Sequence, residues 1–389
     1  MAEQNKKFIN EDGHMEQRIN VALIGIGQGG TKIAGAIAHR SKVDPKRIIS
    51  VNMSVKDLAK ANWVPEQNRI PLDLNGDGAG NDQEKSLVAL QKSLVPTIRK
   101  IDTILDGDFD IAFVCFSADG GTGGGSGPML TYLLNREEGN TEFPAIKKRN
   151  GTTPVIGIVA IPELSDDNES SMVNAQNCLN NIRGLISKPE SQIPFMIIDN
   201  GADSYSGETE EQKFANINND VAFLIDRFIN VEFDSTKANL DMADRFATLS
   251  NSKIIGLTNG GKSSPFVLPV NCAVRDIAFE VSEDDPLLPE RFSKQIGAAV
   301  TNQRKGYYEA GTPNATPIIA YAGFNPLERI AVPYENKVKS IEAKIASRSK
   351  EDNEKGEGFA NLAFNKDVQK SGQVKAEANP NDIFAQMLG

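Results

Sequence analysis

The chain has 389 residues, of which 39% are hydrophobic and 24% charged, and its formal net charge is −10 at pH 7. This length and composition are typical of a soluble two-domain protein, and the negative charge excludes a surface that coats nucleic acid by bulk electrostatics. Because of this charge, we expect no direct bulk nucleic-acid binding. No apolar run approaches the ~20 residues of a membrane span, so we also expect no membrane contact.

Few cysteine and histidine residues limit the chemistry that this chain can perform. Cys115, Cys178 and Cys272 lack metal-ligand spacing, which indicates reduced thiols and a cytoplasmic location. Residues 1–17 form a polar leader without the apolar core of a signal peptide. With only two histidines, acid–base work falls to carboxylates.

The first predicted unit is a strand over residues 18–24, a glycine loop, and a helix over residues 31–39. Its spacing, Gly25-x-Gly27-x-x-Gly30, is typical of nucleotide-binding loops. The second strand, residues 47–51, ends in Asn52, where a dinucleotide site would carry an acidic residue. The glycine spacing leaves a dinucleotide-dependent enzyme as an alternative, although Asn52 disfavours it.

A second glycine-rich stretch spans residues 74–82. The spacing from Asp73 to Glu84 matches an EF-hand calcium loop, but Pro71 would break the helix that must precede such a loop. A helix over residues 83–105, kinked at Pro96, is predicted to follow. Because Pro71 disfavours the incoming helix, calcium binding at residues 74–82 is not the favoured interpretation.

The most informative stretch is residues 111–130. An apolar strand over residues 111–116 precedes a glycine run, and Pro128 is suited to the first turn of the helix that follows. Glycines let the backbone approach an oxyanion, and the helix dipole favours negative charge. We therefore predict a phosphate site here, at Gly120, Gly121, Thr122, Gly123, Gly124, Gly125 and Ser126.

Further strands over residues 153–161 and 194–198 alternate with a helix over residues 171–186. This alternation predicts an α/β fold with a doubly wound, mostly parallel sheet whose site lies at the strand carboxyl ends. A long helix over residues 209–230 follows and carries a broad apolar stripe. Asn218 and Asn219 fall on its polar side, where they are either solvated or suited to reading a base edge.

Asn239 is predicted to cap a short helix beyond the long one. Asp241 and Asp244, three residues apart, would share a helical face and could orient a water molecule, although Asp241 is also explained by a negative charge that complements the helix dipole. Residues 256–263 match a P-loop pattern, but Pro265 excludes the required helix.

The remaining chain predicts a smaller α+β domain. Strands over residues 266–268, 277–281 and 317–322 flank a helix over residues 289–303, and another helix begins near Tyr334 and continues through residues 340–346. Residues 350–380 are charged and low in aromatics, which is typical of disorder.

Together these motifs resemble the tubulin/FtsZ superfamily of filament-forming GTPases over residues 18–335. Residues 120–127 resemble its glycine-rich signature, residues 25–30 and 76–81 its other phosphate loops, and residues 239–244 its N-x-D-x-x-D loop. The form of the first loop, and of residues 52–58, is more similar to TubZ and phage-encoded tubulins than to FtsZ. The resemblance implies nucleotide contacts from Gly27, Gln28, Gly29, Gly30, Asn52, Gly78, Ala79, Gly80 and Asn81, from the glycine run 120–126, and from Asp166, Glu169, Phe214 and Asn219.

The resemblance also implies function. It predicts a GTPase with GTP/GDP and Mg²⁺ as cofactors, which polymerises head to tail and completes its active site between subunits with Asn239, Asp241 and Asp244 as catalytic residues. The expected role is plasmid or phage DNA positioning through a DNA-binding adaptor protein, and an FtsZ-like division ring is the alternative. The implied organisation is leader 1–17, GTP-binding domain 18–208, central helix 209–233, second domain 234–335, C-terminal helix 336–350, and flexible tail 351–389 with a short terminal helix.

Overall fold

In the computed structural model, the structure describes residues 8–9, 15–73, 76, 78–106, 109–135, 155–165, 168–187, 193–202, 209–232, 240–251, 253–261, 264–311 and 315–356. The strands within these ranges are β1 (Phe8–Ile9), β2 (Met15–Arg18), β3 (Val21–Ile26), β4 (Ile48–Asn52), β5 (Arg69–Pro71), β6 (Ile111–Ser117), β7 (Val155–Ile161), β8 (Pro194–Asp199), β9 (Asn230–Glu232), β10 (Lys253–Thr258), β11 (Ala273–Ser282), β12 (Ala299–Tyr308) and β13 (Ile318–Phe324). The helices are α1 (Gly27–Arg40), α2 (Val55–Lys60), α3 (Gln83–Leu105), α4 (Gly121–Leu134), α5 (Glu169–Ser187), α6 (Glu210–Ile229), α7 (Met242–Leu249), α8 (Leu288–Gln295) and α9 (Leu327–Gly356).

The predicted doubly wound sheet is confirmed. Six parallel strands lie in the order β5-β4-β3-β6-β7-β8. The chain adds β4 and β5 on one side of β3 and then β6, β7 and β8 on the other, so the strand order switches between β3 and β6. In open α/β sheets the crevice at such a switch point, beyond the strand carboxyl ends, is where ligands bind. The two glycine-rich segments directly follow β3 and β6 and therefore meet at this crevice.

The strands of the second half extend the same sheet. β10 pairs in parallel with β8 through Lys253 with Pro194 and Ile254 with Phe195, and β13, β11 and β12 continue outward to give ten strands. The small sheet β1-β2-β9 lies apart from this one. The parallel first half and the second half of the chain are thus joined through backbone hydrogen bonds.

The predicted helix over residues 289–303 is wrong in its second half. Helix α8 ends at Gln295, Gly297 adopts a left-handed φ of +68°, and β12 begins at Ala299. Residues 299–308 instead pair in parallel with β11 along the whole strand. Pairing with a strand distant in sequence decided this segment, and local periodicity cannot reveal such pairing.

Helices cover the ten-stranded sheet in two layers. On one face α3 packs against α4 and α5 against α9, and on the other α1 packs against α6. Helix α3 matches its predicted bounds and continues through Pro96. The 74–82 stretch is preceded by strand β5, so the calcium interpretation lacks its incoming helix.

Helix α4 begins seven residues before the predicted start at Pro128. Residues 121–127 form its first turns in spite of the low helix propensity of glycine. Close packing explains this, because a Cβ on Gly127 would lie 2.4 Å from the Phe116 ring and one on Gly125 would lie 2.4 Å from the Gln83 carbonyl oxygen. The glycine run is therefore mostly a tightly packed helix start.

Helix α9 begins at Leu327, earlier than predicted, and continues through Pro333 to Gly356. The Tyr334 hydroxyl, at its buried end, donates a hydrogen bond to the Pro162 carbonyl beside β7. The predictions on residues 357–389 lie outside the described residues. Among the described helices, none combines the length and apolar character that crossing a membrane requires.

Candidate nucleotide-binding site

A cavity of about 510 Å³ lies at the carboxyl ends of β3 and β6, and we call it the switch-point cavity. Its size suits a small ligand such as a nucleotide. Its wall comes from six separate segments of the parallel half of the chain and from α6. The lining residues are Ile26, Gly27, Gln28, Gly29, Lys32, Ile33, Asn52, Ser54, Asp57, Gly78, Ala79, Gly80, Asn81, Ser117, Asp119, Gly120, Gly121, Thr122, Gly123, Ala160, Asn200, Phe214 and Asn218.

Two helices begin at this cavity. α1 starts at Gly27 and α4 at Gly121, and neither has an acidic residue in its first turn. Gly27 has a φ of +70°, and a Cβ on it would lie 3.1 Å from the Gly123 amide nitrogen, so the two helix starts approach closely. Unsatisfied N–H groups and two helix dipoles thus converge on one space, which favours an anion.

Four of the predicted phosphate contacts lie outside the cavity wall. Gly30, Gly124, Gly125 and Ser126 instead pack the helices against their neighbours. A Cβ on Gly30 would lie 2.0 Å from the Cys115 carbonyl oxygen, and the Ser126 hydroxyl lies 2.5 Å from that of Ser86 on α3. These residues act on the site by holding the helix starts in place.

The loop over residues 78–81 forms another side of the cavity and is held by Lys85 and Asn174, while Gln83 holds the neighbouring segment after β6. Lys85 Nζ donates to the Gly78 carbonyl at 2.8 Å, and Asn174 Nδ2 donates to the carbonyls of Asn81 at 2.8 Å and Asp119 at 2.9 Å. The buried Gln83 carboxamide donates to the Ala118 carbonyl at 2.8 Å. Sequence reasoning missed these three side chains because nothing local marks a tertiary contact between loops.

Asn52 connects two sides of the cavity. It is buried, and its Oδ1 accepts hydrogen bonds from the Ser54 amide at 3.1 Å and from Thr122 Oγ1 at 3.3 Å. The end of β4 is thereby tied to the first turn of α4. The side-chain oxygen of Asn52 is thus occupied by hydrogen bonds within the protein. A dinucleotide site would instead present a carboxylate to a ribose at this position.

Sequence reasoning also missed the charged residues of the wall. Lys32, Asp57 and Asp119 line the cavity, and Ser117 donates a hydrogen bond to Asp119. Lys32 supplies the positive side chain in this wall, since the other lining residues are neutral or acidic. Polar residues just beyond the ends of β4 and β6 were the available signal.

At the α6 side of the cavity, the structure brings in Phe214 and Asn218. They are four residues apart and therefore share a helical face, whereas Asn219 lies about 100° around the helix and is exposed. The predicted contact at Asn219 is therefore not part of the wall. Asn200, which follows β8, also lines this end.

The acidic loop before α5 contributes nothing to the cavity wall among its described residues. Glu169 is the first residue of α5 and is exposed, and Asp166 lies outside the described residues. Glu163 pairs with Lys213 of α6 at 2.6 Å, and that hydrogen bond lowers the pKa of Glu163. The ion pair fixes the loop against α6 just before Phe214.

The predicted catalytic carboxylates lie at the other end of α6. Asp241 caps α7, with Oδ1 accepting from the Asp244 amide at 2.8 Å, and Asp244 pairs with Arg304 of β12 at 3.1 Å. The predicted cap, Asn239, lies outside the described residues. Neither aspartate lines the switch-point cavity, because α6, about 30 Å long, separates them from it.

A magnesium site cannot be recognised from clustered ligands alone. No group of three or more His, Cys, Asp or Glu side chains within metal-binding reach occurs among the described residues. Mg²⁺ beside a nucleotide needs only one or two carboxylates, because phosphate oxygens and water complete its shell. Asp57 and Asp119 supply such carboxylates in the cavity wall, so the wall fits the ion.

No family model matches the sequence. Among curated proteins, the chain is 30% identical over 186 residues to the tubulin-like protein CetZ of Pyrococcus horikoshii, covering 46% of this chain and 50% of that protein. The chain thus spans about half the length of the curated relatives that it matches first.

Solved structures match over more of the chain. TubZ of Clostridium botulinum phage c-st superposes with a TM-score of 0.65 at 16% identity, covering 84% of this chain and 99% of that one. A GTPγS-form protofilament of TubZ from Bacillus thuringiensis serovar israelensis gives 0.62 at 13% identity, covering 85% and 94%. The chain therefore has the fold of the tubulin-like TubZ and CetZ proteins, and its resemblance to the tubulin/FtsZ superfamily is confirmed.

Proposed function

We propose that this protein binds and hydrolyses GTP and assembles head to tail into filaments. The observation that carries the proposal is the switch-point cavity, in which two glycine-rich helix starts converge beside Lys32. Helix N-termini and a lysine together favour a polyphosphate. The TubZ structure that shares this fold was solved in a GTPγS form, as a protofilament, which supports the nucleotide and the assembly.

We assign the base end of the site to Phe214 and Asn218. Phe214 offers an exposed aromatic face, and Asn218 offers a carboxamide on the same side of α6. A carboxamide has both a donor and an acceptor, which match the N1–H and O6 of guanine. Asn218 thereby replaces Asn219 in our assignment.

The hydrolytic step is assigned to a second copy of the chain. Asp241 and Asp244 cannot reach the cavity of their own chain from the far end of α6, so head-to-tail stacking would have to bring them to a neighbour's nucleotide. There they can polarise the attacking water, while amides and Lys32 hold the phosphates. Asp57 or Asp119 would hold Mg²⁺, which neutralises charge on the phosphate oxygens.

The filament is further proposed to position plasmid or phage DNA through an adaptor protein. The motif form of residues 25–30 and 52–58, together with the fold shared with a phage TubZ, supports this role over an FtsZ-like division ring. The net charge of −10 leaves DNA contact to the adaptor. Pull-down of the filament by an adaptor-bound DNA repeat, with naked DNA as the control, tests it.

The overall proposal is tested by sedimentation with GTP, GDP, ATP and NAD, and by phosphate release across protein concentration. We expect the protein to pellet with GTP but not with GDP, ATP or NAD. GTP turnover per subunit should rise steeply above a critical protein concentration. Pelleting that is indifferent to nucleotide would contradict assembly. Binding of NAD without binding of GTP would favour the dinucleotide alternative.

The base assignment is tested by a matched pair, Asn218→Ala and Asn219→Ala. Loss of the Asn218 carboxamide leaves guanine groups unpaired, which costs about 1–3 kcal/mol and therefore weakens GTP binding about 5- to 150-fold. Asn219→Ala should bind like the wild type because Asn219 is exposed beyond the wall. The reverse result, measured by calorimetry with GTPγS, would return the assignment to Asn219.

A further inference from the structure

A fully buried arginine lies next to the candidate hydrolytic carboxylates. Arg245 follows Asp244 on α7, and its side chain has no exposure to solvent. Burial lowers the pKa of its guanidinium, and the nearby Glu280 carboxylate acts in the opposite direction. A buried arginine is costly unless its donors are used, so its contacts indicate what it is for.

The guanidinium of Arg245 joins three separate parts of the fold. Nε donates to the Leu240 carbonyl at 3.0 Å, Nη1 donates to the Phe228 carbonyl at the end of α6 at 2.8 Å, and Nη2 lies 3.2 Å from Glu280 Oε2 on β11. Glu280 is also paired with Arg227 at 2.6 Å. The planar fork of arginine allows one side chain to donate hydrogen bonds to two carbonyls and to form an ion pair with Glu280.

A second contact confines the same backbone segment. Leu240 is fully buried, and a Cβ on Gly306 of β12 would lie 2.4 Å from the Leu240 amide nitrogen. Arg245 therefore holds the carbonyl of Leu240 while Gly306 leaves just enough room for its amide. Asp241 is the next residue, so these two contacts confine the backbone from which its carboxylate projects, and the carboxylate accepts from the Asp244 amide.

We propose that Arg245 is a positioning residue for hydrolysis, which together with Gly306 holds the Leu240–Asp241 backbone so that Asp241 is presented to the neighbouring subunit. The inference rests on the proposed GTPase function. Arg245 touches no nucleotide in this assignment and acts only through the backbone of its own chain. Its contacts also link Asp241 to α6, whose other end lines the switch-point cavity.

The experiment measures GTP affinity, critical concentration and phosphate release per polymerised subunit in full-length variants. Arg245→Met should lower release per polymerised subunit at least tenfold while leaving GTP affinity within twofold. Arg245→Lys keeps the charge but not the fork, so it should recover only part of the rate. Gly306→Ala displaces the same segment from the other side and should reproduce the loss with Arg245 intact.

Leu249→Ala is the matched control, because Leu249 is a buried residue of α7 without polar contacts to the segment. It should lower the thermal midpoint but not the release per polymerised subunit. The positioning role is wrong if Arg245→Met and Leu249→Ala, at equal thermal midpoints, release the same amount of phosphate per polymerised subunit. It is also wrong if Gly306→Ala retains the wild-type rate of release.

A readout without GTP separates this inference from the proposed function. Hydrogen exchange of the nucleotide-free full chain should show lost protection over residues 240–249 in Arg245→Lys and Gly306→Ala, with unchanged protection in α1 and α4. Absent hydrolysis in the wild type would refute the proposed function alone. Unchanged exchange in both variants would refute the positioning by Arg245 even in an active GTPase.

Discussion

Gly30→Ala should strongly destabilise the parallel half of the fold. A Cβ at this position would lie 2.0 Å from the carbonyl oxygen of Cys115 and 2.8 Å from Cα of Phe116, both in the backbone of the central strand β6. A strand paired on both sides cannot shift to make room, so helix α1 would have to move away. We expect the free energy of unfolding to fall by about 3 kcal/mol or more.

The matched control is Gly120→Ala, because a Cβ there meets nothing within 4 Å and its φ of −79° suits any residue. Denaturation without nucleotide can be followed by the fluorescence of Trp63, the single tryptophan, whose ring packs so closely on α1 that a Cβ on Gly35 would lie 2.9 Å from it. Equal denaturation midpoints for the two variants would show that the close packing of α1 on β6 does not stabilise the fold.

Asp241→Asn should give filaments that bind GTP but do not hydrolyse it. Asparagine caps helices as well as aspartate, so the substitution keeps the α7 cap and removes only the charge. Loss of a group that orients the attacking water costs ~10²–10⁴ in rate. Filaments of the variant should therefore persist, as measured by light scattering, while phosphate release falls by that factor.

Mixing and a capping control sharpen this test. If each site draws on two chains, added Asp241→Asn should depress turnover along filaments shared with wild type, while GTP affinity remains unchanged. Asp44→Asn replaces the aspartate that caps the short 3₁₀ helix Pro45–Arg47 and should leave turnover unaffected. Wild-type turnover by Asp241→Asn, or equal specific turnover in dilute monomer and filament, would contradict the shared site.

Much of the parallel half of the fold was predictable from local pattern. The buried strands β3 and β6 read as apolar runs, and the glycine-rich segments after them indicated the site because both follow strands and precede helices. The long helix α6 was equally clear from its apolar stripe, and the bounds of α3 matched the prediction. These signals depend only on residues that are close together in the sequence, so one sequence is enough to detect them.

The sequence by itself determined that glycine-rich segments follow two buried strands, which indicated the fold class and a candidate anion site at the strand ends. Only the tertiary structure decided which glycines line the cavity and which pack against β6 and α3, that Asn218 rather than Asn219 faces the cavity, and that residues 299–308 form a strand. It alone also brought Arg245 to the carbonyls of Leu240 and Phe228. The physical reason is that periodicity and turn chemistry act over a few residues, whereas these outcomes depend on backbone groups that are distant along the chain and adjacent only after folding.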